Sequence, residues 1–297
     1  MKKILSVLVI AAVLGSGAVC AAQQPAGRHA GKAPATAPVA EKPAAMAPAA
    51  TAAAPAASGG EEGKCPAATA ENIPPQQAWP HKGVFGAYDM ASVQRGFQVY
   101  REVCSNCHSL KYVAYRDLQQ LGYTPDQVKT VASAATFQEM DDSGQMVDRP
   151  GRPSDHFKPP FPNDKAARAA NNGALPPDMS LLVKAREHGE DYIYSVLNGY
   201  EAAPTCASVM PGMNWNKYFP PHQIAMPKPL NDGQVQFSDG AANSLPEEAR
   251  DVVQFLAWAS EPHMEQRKEM GLKVLLFMLV FVGIMAAAKC KVWEDVR

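Results

Sequence analysis

The run Cys104-Ser105-Asn106-Cys107-His108 constrains this chain more than any other stretch. Two thiols one helical turn apart face the same way and can add to the two vinyl groups of one porphyrin. The histidine directly after them can place an imidazole beneath the iron. A zinc half-site would need a second Cys/His pair at ligand spacing, and the sequence has none. A thioredoxin-like dithiol would sit in a βαβ pattern, which is also missing here. The motif therefore reads as the attachment point of one covalent haem c. Cys104 and Cys107 would form the thioethers, and His108 would be the proximal iron ligand.

Chemistry of that kind sets conditions on the rest of the chain. Bacterial haem of this type is attached outside the cytoplasm, so an export signal is expected. Residues 1–22 read as one: Lys2 and Lys3 lead an apolar run from Ile4 to Leu14, then the small residues Gly15 to Ala18. An uncleaved anchor is the alternative. Lipidation of Cys20 is disfavoured because Val19 is a poor residue before a lipidated cysteine. From 23 to 75 the composition collapses to Ala and Pro with scattered charges. Such a stretch buries too little apolar surface to offset the entropy of ordering, so it reads as an extended, disordered linker. Of 297 residues, those from 76 to 262 are left as a single haem domain. The net charge of −1 gives no basis for nucleic-acid binding. Six cysteines, two of them in the motif, do not make a disulfide-dense scaffold.

The domain reads as mainly α. Ser92 to Val103 is a helix, with Val93, Phe97, Tyr100 and Val103 at helical spacing. Gly96 in its interior costs on the order of 1 kcal/mol against Ala, which a close helix crossing would explain. Pro246 to Ala259 is the matching helix near the end, with Phe255 and Trp258 on its apolar face. Between them, Tyr112–Leu121, Pro125–Ala135, Asn163–Ala170, Ser180–His188 and Asp191–Leu197 read as short helices. Glu139 to Pro162 reads as a long loop. Turn signals around Val235–Phe237 suggest a small β-hairpin. Proline clusters at 159–162, 176–177, 220–221 and 227–229 suit stiff walls around a cofactor, or plain surface loops.

Residues 263–297 read as an anchor and a short tail. Val274 to Ala288 carries no charge and spans about 22 Å at 1.5 Å per residue. Gly271, Leu272 and a snorkelling Lys273 extend the span, about 270–288, toward bilayer thickness. A buried core helix is the alternative, disfavoured because nothing follows to cover it.

The iron's second face needs a ligand. Met226 is favoured by position, because Ile224-Ala225-Met226-Pro227 lies in a proline-rich loop between the motif and the last soluble helix. Met210 and Met213 compete with it, and Met179 is more distant. A thioether is a soft, weak donor that favours Fe(II) and raises the potential.

Several segments together carry a family resemblance: Arg95-Gly96-Phe97-Gln98-Val99-Tyr100, the run Asn171-Asn172-Gly173-Ala174-Leu175-Pro176-Pro177-Asp178, Gly189-Glu190-Asp191-Tyr192, Ile224–Pro227 and Arg267–Lys273. From about Trp79 to the C-terminus the chain resembles the cytochrome c1 family, the haem subunits of cytochrome bc1 complexes. The resemblance implies a class I cytochrome c-like domain on one transmembrane helix, with crossed terminal helices. It implies His108 and Met226 as axial iron ligands, and Asn172, Pro177, Arg186 and Tyr192 as haem-pocket residues. Arg186 would pair with a haem propionate. Some relatives carry a disulfide before the methionine ligand. Here that region offers only Cys206, for which Cys65 is a candidate partner, and Cys290 is expected free.

The function implied is electron transfer, not catalysis by this chain alone. Electrons would come from a Rieske iron–sulfur protein and leave to a cytochrome c, in a respiratory or photosynthetic chain. Cytochrome b, the membrane and a dimeric complex would be its company. The haem domain would lie in the periplasm, at the bacterial inner membrane. A redox enzyme with an open iron face, and an anchored shuttle serving a terminal oxidase, are the rival readings.

Overall fold

The computed structural model describes residues 73–294. The expected signal peptide, 1–22, and nearly all of the expected linker, 23–75, lie outside the described residues. In chain order the elements are α1 (Met90–Glu102), α2 (Pro125–Ser133), β1 (Thr136–Met140), β2 (Met146–Pro150), α3 (Asp164–Ala170), α4 (Gly189–Asn198), β3 (Asn214–Trp215), β4 (Gln223–Ile224), α5 (Leu245–Ser260) and α6 (Met264–Val292). The fold is mainly helical, as expected, with two very small antiparallel sheets.

α1 starts where the Asp89 carboxylate accepts the free N–H groups of Ala91 and Ser92. Its buried side, Val93, Phe97 and Tyr100, faces α5. α5 opens with Pro246 in its first turn and with Glu247 and Glu248 at the positive end of its dipole. The two helices cross at Gly96. A side chain there would overlap the Asp251 carbonyl and press on the Phe255 Cβ, which is why this position bears none. Around the crossing, the Phe255 ring centroid lies 5.5 Å from that of Phe97, 5.6 Å from that of Tyr100 and 5.8 Å from that of Trp258. This is the pairing expected from the sequence. A polar cluster is buried beside it. Arg95 bonds both Asp251 oxygens, at 2.6 and 3.1 Å, Ser92 donates to the same carboxylate, and Gln254 donates to Ser92.

Four local expectations are corrected. The expected loop from Glu139 is in its first part a hairpin, β1–β2, which starts at Thr136 and pairs Phe137 to Arg149 and Glu139 to Val147. Its polar turn reads as loop in sequence. Asp141 makes it a turn by accepting the N–H groups of Ser143 and Gln145, and Gly144 sits at φ +81°. The Arg149 guanidinium, stacked on Phe137 and paired with Glu139 and Asp155, ties the hairpin to the body. Val235–Phe237 is not a strand. Val235 is buried and gives its N–H to the Glu248 carboxylate, 2.9 Å away, so the segment is fixed to α5. Ser180–His188 is a string of turns; at its start the Asp178 carboxylate accepts the Ser180 N–H, and the Ser180 hydroxyl accepts the N–H of Tyr112 from another segment. The helix expected over Tyr112–Leu121 shrinks to a 3-10 turn, Tyr115–Leu121, closed by Gly122 at φ +87°.

α6 has 29 residues, roughly 43 Å at 1.5 Å per residue, and is long and apolar enough to cross a membrane. Its first turns are bound to the domain. Glu265 accepts the Tyr88 N–H at 2.7 Å, and Met264 is buried in the core. Beyond Lys273 the apolar side chains, Leu275, Phe277 and Leu279 among them, stand exposed along its length.

Candidate haem site

The candidate attachment motif sits where α1 ends. The chain turns through a 3-10 segment, Cys104–Asn106, and the N–H groups of Cys107 and His108 both close on the Cys104 carbonyl, at 3.1 and 2.9 Å. The Tyr100 hydroxyl, in the last turn of α1, donates to the His108 carbonyl at 3.2 Å. Cys104 is half-buried against the core, Cys107 is exposed, and both thiols are free. Burial, then the neighbouring Cys107, pushes the Cys104 thiol up to about 12. It is a neutral sulfur suited to an apolar wall, not a redox-active thiolate.

The His108 ring is held from the side. Its Nδ1 lies 2.9 Å from the Pro177 carbonyl, which can only accept, so Nδ1 carries the proton and Nε2 has the free lone pair. Burial keeps the imidazole pKa below its usual value, against the opposing pull of that carbonyl and of Asp178. A neutral ring with one nitrogen tied and the other open is what a metal ligand requires. Asp178 fixes the Pro177 carbonyl in place. Its carboxylate accepts the Ser109 hydroxyl (2.7 Å), the Lys111 N–H (3.0 Å) and the Ser180 N–H (2.9 Å), and the Met179 N–H returns to the Ser109 carbonyl. Two adjacent thiols and an open imidazole nitrogen on one rigid turn fit a covalently held porphyrin iron.

The leading candidates for the second ligand, Met210, Met213 and Met226, all follow α4 in the chain. Met226 is half-buried, and its carbonyl accepts from the Tyr200 hydroxyl at 3.1 Å and from the Asn214 amide at 3.3 Å. Of its competitors, Met210 is 57% exposed, and Met213 is half-buried directly after Gly212, which sits at positive φ. Met179 packs into the core with its backbone bound to Ser109, next to His108.

The remaining pocket candidates fall into two groups. Pro177 acts through its carbonyl on His108. Asn172 is an exposed residue at φ 51°, and its amide lies against Gly212 in the methionine-bearing segment. Arg186 is exposed, while Tyr192 is half-buried on α4. Burial raises the Tyr192 hydroxyl pKa and the Arg186 charge lowers it, so the two side chains share one electrostatic neighbourhood. Cys206 is disulfide-bonded; Cys65, its candidate partner, lies outside the described residues. Cys290 is free.

Sequence reasoning missed Tyr100, Asp178, Tyr200 and Asn214. Only Asp178 had a signal, as a carboxylate directly after two prolines and two residues before a serine. The other three make contacts 8 to 26 residues away through the folded chain.

A Cys-x-x-Cys-His turn at the end of the first of two crossed helices, with a membrane-length helix after the second, defines an anchored c-type cytochrome. Comparison with known proteins narrows this. The Cytochrome C1 family model matches residues 79–296. The chain is 46% identical over 245 residues to "Cytochrome c1" of Rhodospirillum rubrum, covering 75% of this chain and 88% of that protein. It is 46% identical over 214 residues to "Cytochrome c1-2, heme protein, mitochondrial" of Solanum tuberosum, covering 72% and 82%. It is also 44% identical over 245 residues to "Cytochrome b/c1" of Bradyrhizobium diazoefficiens, of which it spans only 36%. The chain belongs to the cytochrome c1 family.

Proposed function

We propose that this chain carries one covalent haem c and passes electrons within a quinol-oxidising cytochrome bc1 complex. The observation that carries the reading is the tethered His108, whose Nδ1 is held by Pro177 beside two free thiols at helical spacing. The haem supplies a one-electron Fe(III)/Fe(II) couple. The chain's own groups do the rest. Cys104 and Cys107 hold the porphyrin, His108 presents Nε2, and Met226 presents a thioether that favours the reduced ion. Asn172 and Tyr192 line the pocket, and Arg186 offers a fixed charge to a propionate.

Such a centre changes charge without changing ligands, so it has no need of a substrate site. In this reading the chain is an electron-transfer subunit and not an enzyme alone. Cytochrome b lies beside its anchor, a Rieske iron–sulfur protein is the donor and a cytochrome c the acceptor, in a dimeric complex. The haem domain faces the periplasm at the bacterial inner membrane. Membership of the complex is supported by the similarity, 47% over 207 residues, to "Cytochrome b-c1 complex catalytic subunit, mitochondrial" of Candida albicans. Purification in mild detergent, followed by difference spectra, tests it. Cytochrome b haems and a Rieske protein should co-purify. A terminal oxidase in their place would make this chain an anchored shuttle, and a preparation that binds carbon monoxide rapidly when reduced would mark an enzyme with an open iron.

A further inference from the structure

We propose that Tyr200 and Asn214 are positioning residues for the distal iron ligand, holding the Met226 carbonyl from two sides so that the thioether is set before it meets the metal. The inference rests on the reading of Met226 as that ligand.

The residue after Met226 is Pro227, which has no N–H and drives Met226 toward an extended backbone. The carbonyl of Met226 is therefore a natural polar handle at this point of the loop, and both donors converge on it. They come from different parts of the fold. Tyr200 lies two residues past the end of α4 and is bridged to Asn216. Asn214 is in β3 and pairs with Ile224 of β4, two residues before the methionine.

The connection between these parts is itself rigid. Asn216 is fully buried. Its amide donates to the Val196 carbonyl of α4 at 2.8 Å, and its Oδ1 accepts the N–H groups of Tyr218 and Phe219. Gly199 allows this approach, because a side chain there would meet the Tyr218 ring and the Asn216 amide oxygen. The methionine loop is thus registered against α4, the helix that bears Tyr192.

The physical consequence follows from the weakness of the donor. An iron–thioether bond competes poorly with stronger ligands, so the fraction kept depends on how much order the loop must gain to form it. Loss of one neutral hydrogen bond should shift that competition about fivefold, and loss of both about twentyfold.

The test uses the full chain, haem-loaded and purified within its complex. Imidazole is titrated into the ferric form of wild type, Tyr200→Phe, Asn214→Ala and the double variant, and the red charge-transfer band of methionine-ligated ferric haem is followed with the potential. The proposal expects imidazole to bind about fivefold more tightly in each single variant and about twentyfold in the double, with weakened bands and lowered potentials. Tyr200→Phe keeps the ring and its packing, so it decides the matter alone if Asn214→Ala does not assemble. Unchanged imidazole affinity and potential would overturn the proposal. Met226→Leu separates the two readings. If it leaves band and potential intact, the ligand assignment has failed. If it abolishes the band while Tyr200→Phe changes nothing, only the positioning role has failed.

Discussion

The Nζ of Lys268, in the second turn of the membrane-length helix, lies 2.7 Å from the carbonyl oxygen of His81. The same ammonium reaches the Gly86 carbonyl at 2.8 Å, so one side chain closes both ends of the loop between them. Further along the same strap, the Trp79 indole donates to Asp191 at 2.7 Å and the Tyr88 hydroxyl to the carbonyls of Ala257 and Glu261. The strap therefore joins the start of α4 to the start of α6, and the anchor begins as part of the haem domain.

A soluble haem domain should be obtained by removing the anchor, and the cut point should matter. Ending the chain after Ser260 deletes the buried Met264, Glu265 and Lys268, whereas ending it after Glu269 keeps all three. Both products should be haem-loaded, with the shorter one melting roughly 5 °C lower. Thermal unfolding followed by haem absorbance checks this. Equal melting points would mean that the strap contributes nothing.

Gly96→Ala gives two effects opposite in sign. Helix propensity alone favours Ala by about 1 kcal/mol. The added methyl would overlap the Asp251 carbonyl, and both partners are backbone or backbone-adjacent, so neither can rotate away. Overpacking of that kind costs about 1–3 kcal/mol and should win, with a net destabilisation of up to about 2 kcal/mol. A denaturant midpoint shifted upward would contradict the crossing.

Arg95→Met leaves the Asp251 carboxylate buried without its cation. Burial already draws that carboxyl upward in pKa, while Arg95 and Ser92 pull it down. Removing one partner of such a pair costs about 3–5 kcal/mol. The double variant Arg95→Met with Asp251→Leu should recover most of this, which equilibrium unfolding of the soluble domain can measure. A double variant as unstable as the single would show that the ion pair is not the origin of the loss.

Glu190 should make the domain acid-sensitive. Burial raises its pKa, but the bond to His81 (3.0 Å) and the charge of Lys82 outweigh that and hold it at about 2. Its folded value lies below the unfolded one, so its contribution is complete above about pH 4.5 and fades as pH falls toward 2. The share at stake is about 3 kcal/mol at most. Unfolding measured from pH 6 to 2.5 should show a shallower decline in Glu190→Gln than in wild type. Parallel curves would rule out this carboxylate as the source.

The Cys-x-x-Cys-His turn, the crossed helices and the membrane-length helix were legible in the sequence because each is a local pattern. Cys104, Cys107 and His108 must lie on one turn to meet one porphyrin. Val93, Phe97 and Tyr100 repeat at the helical period, and the span after Lys273 carries no charge. Even the cost of Gly96 pointed to a close approach by another helix. Where side chains competed with the backbone for donors, pattern failed. Asp141 closes a hairpin turn where a loop was expected, and Ser180, at the start of an expected helix, is bound instead to Asp178 and to the N–H of Tyr112.

What tertiary structure alone decided is how the proposed ligands are held. Pro177 lies 69 residues from His108, Tyr200 lies 26 residues from Met226, and Lys268 lies 187 residues from His81. A hydrogen bond depends on a few ångströms of separation and on angle, and neither leaves a periodic trace along the chain. The residues proposed to bind iron are thus written in the order of amino acids, whereas the groups that orient them become neighbours only when the helices cross and the loops close.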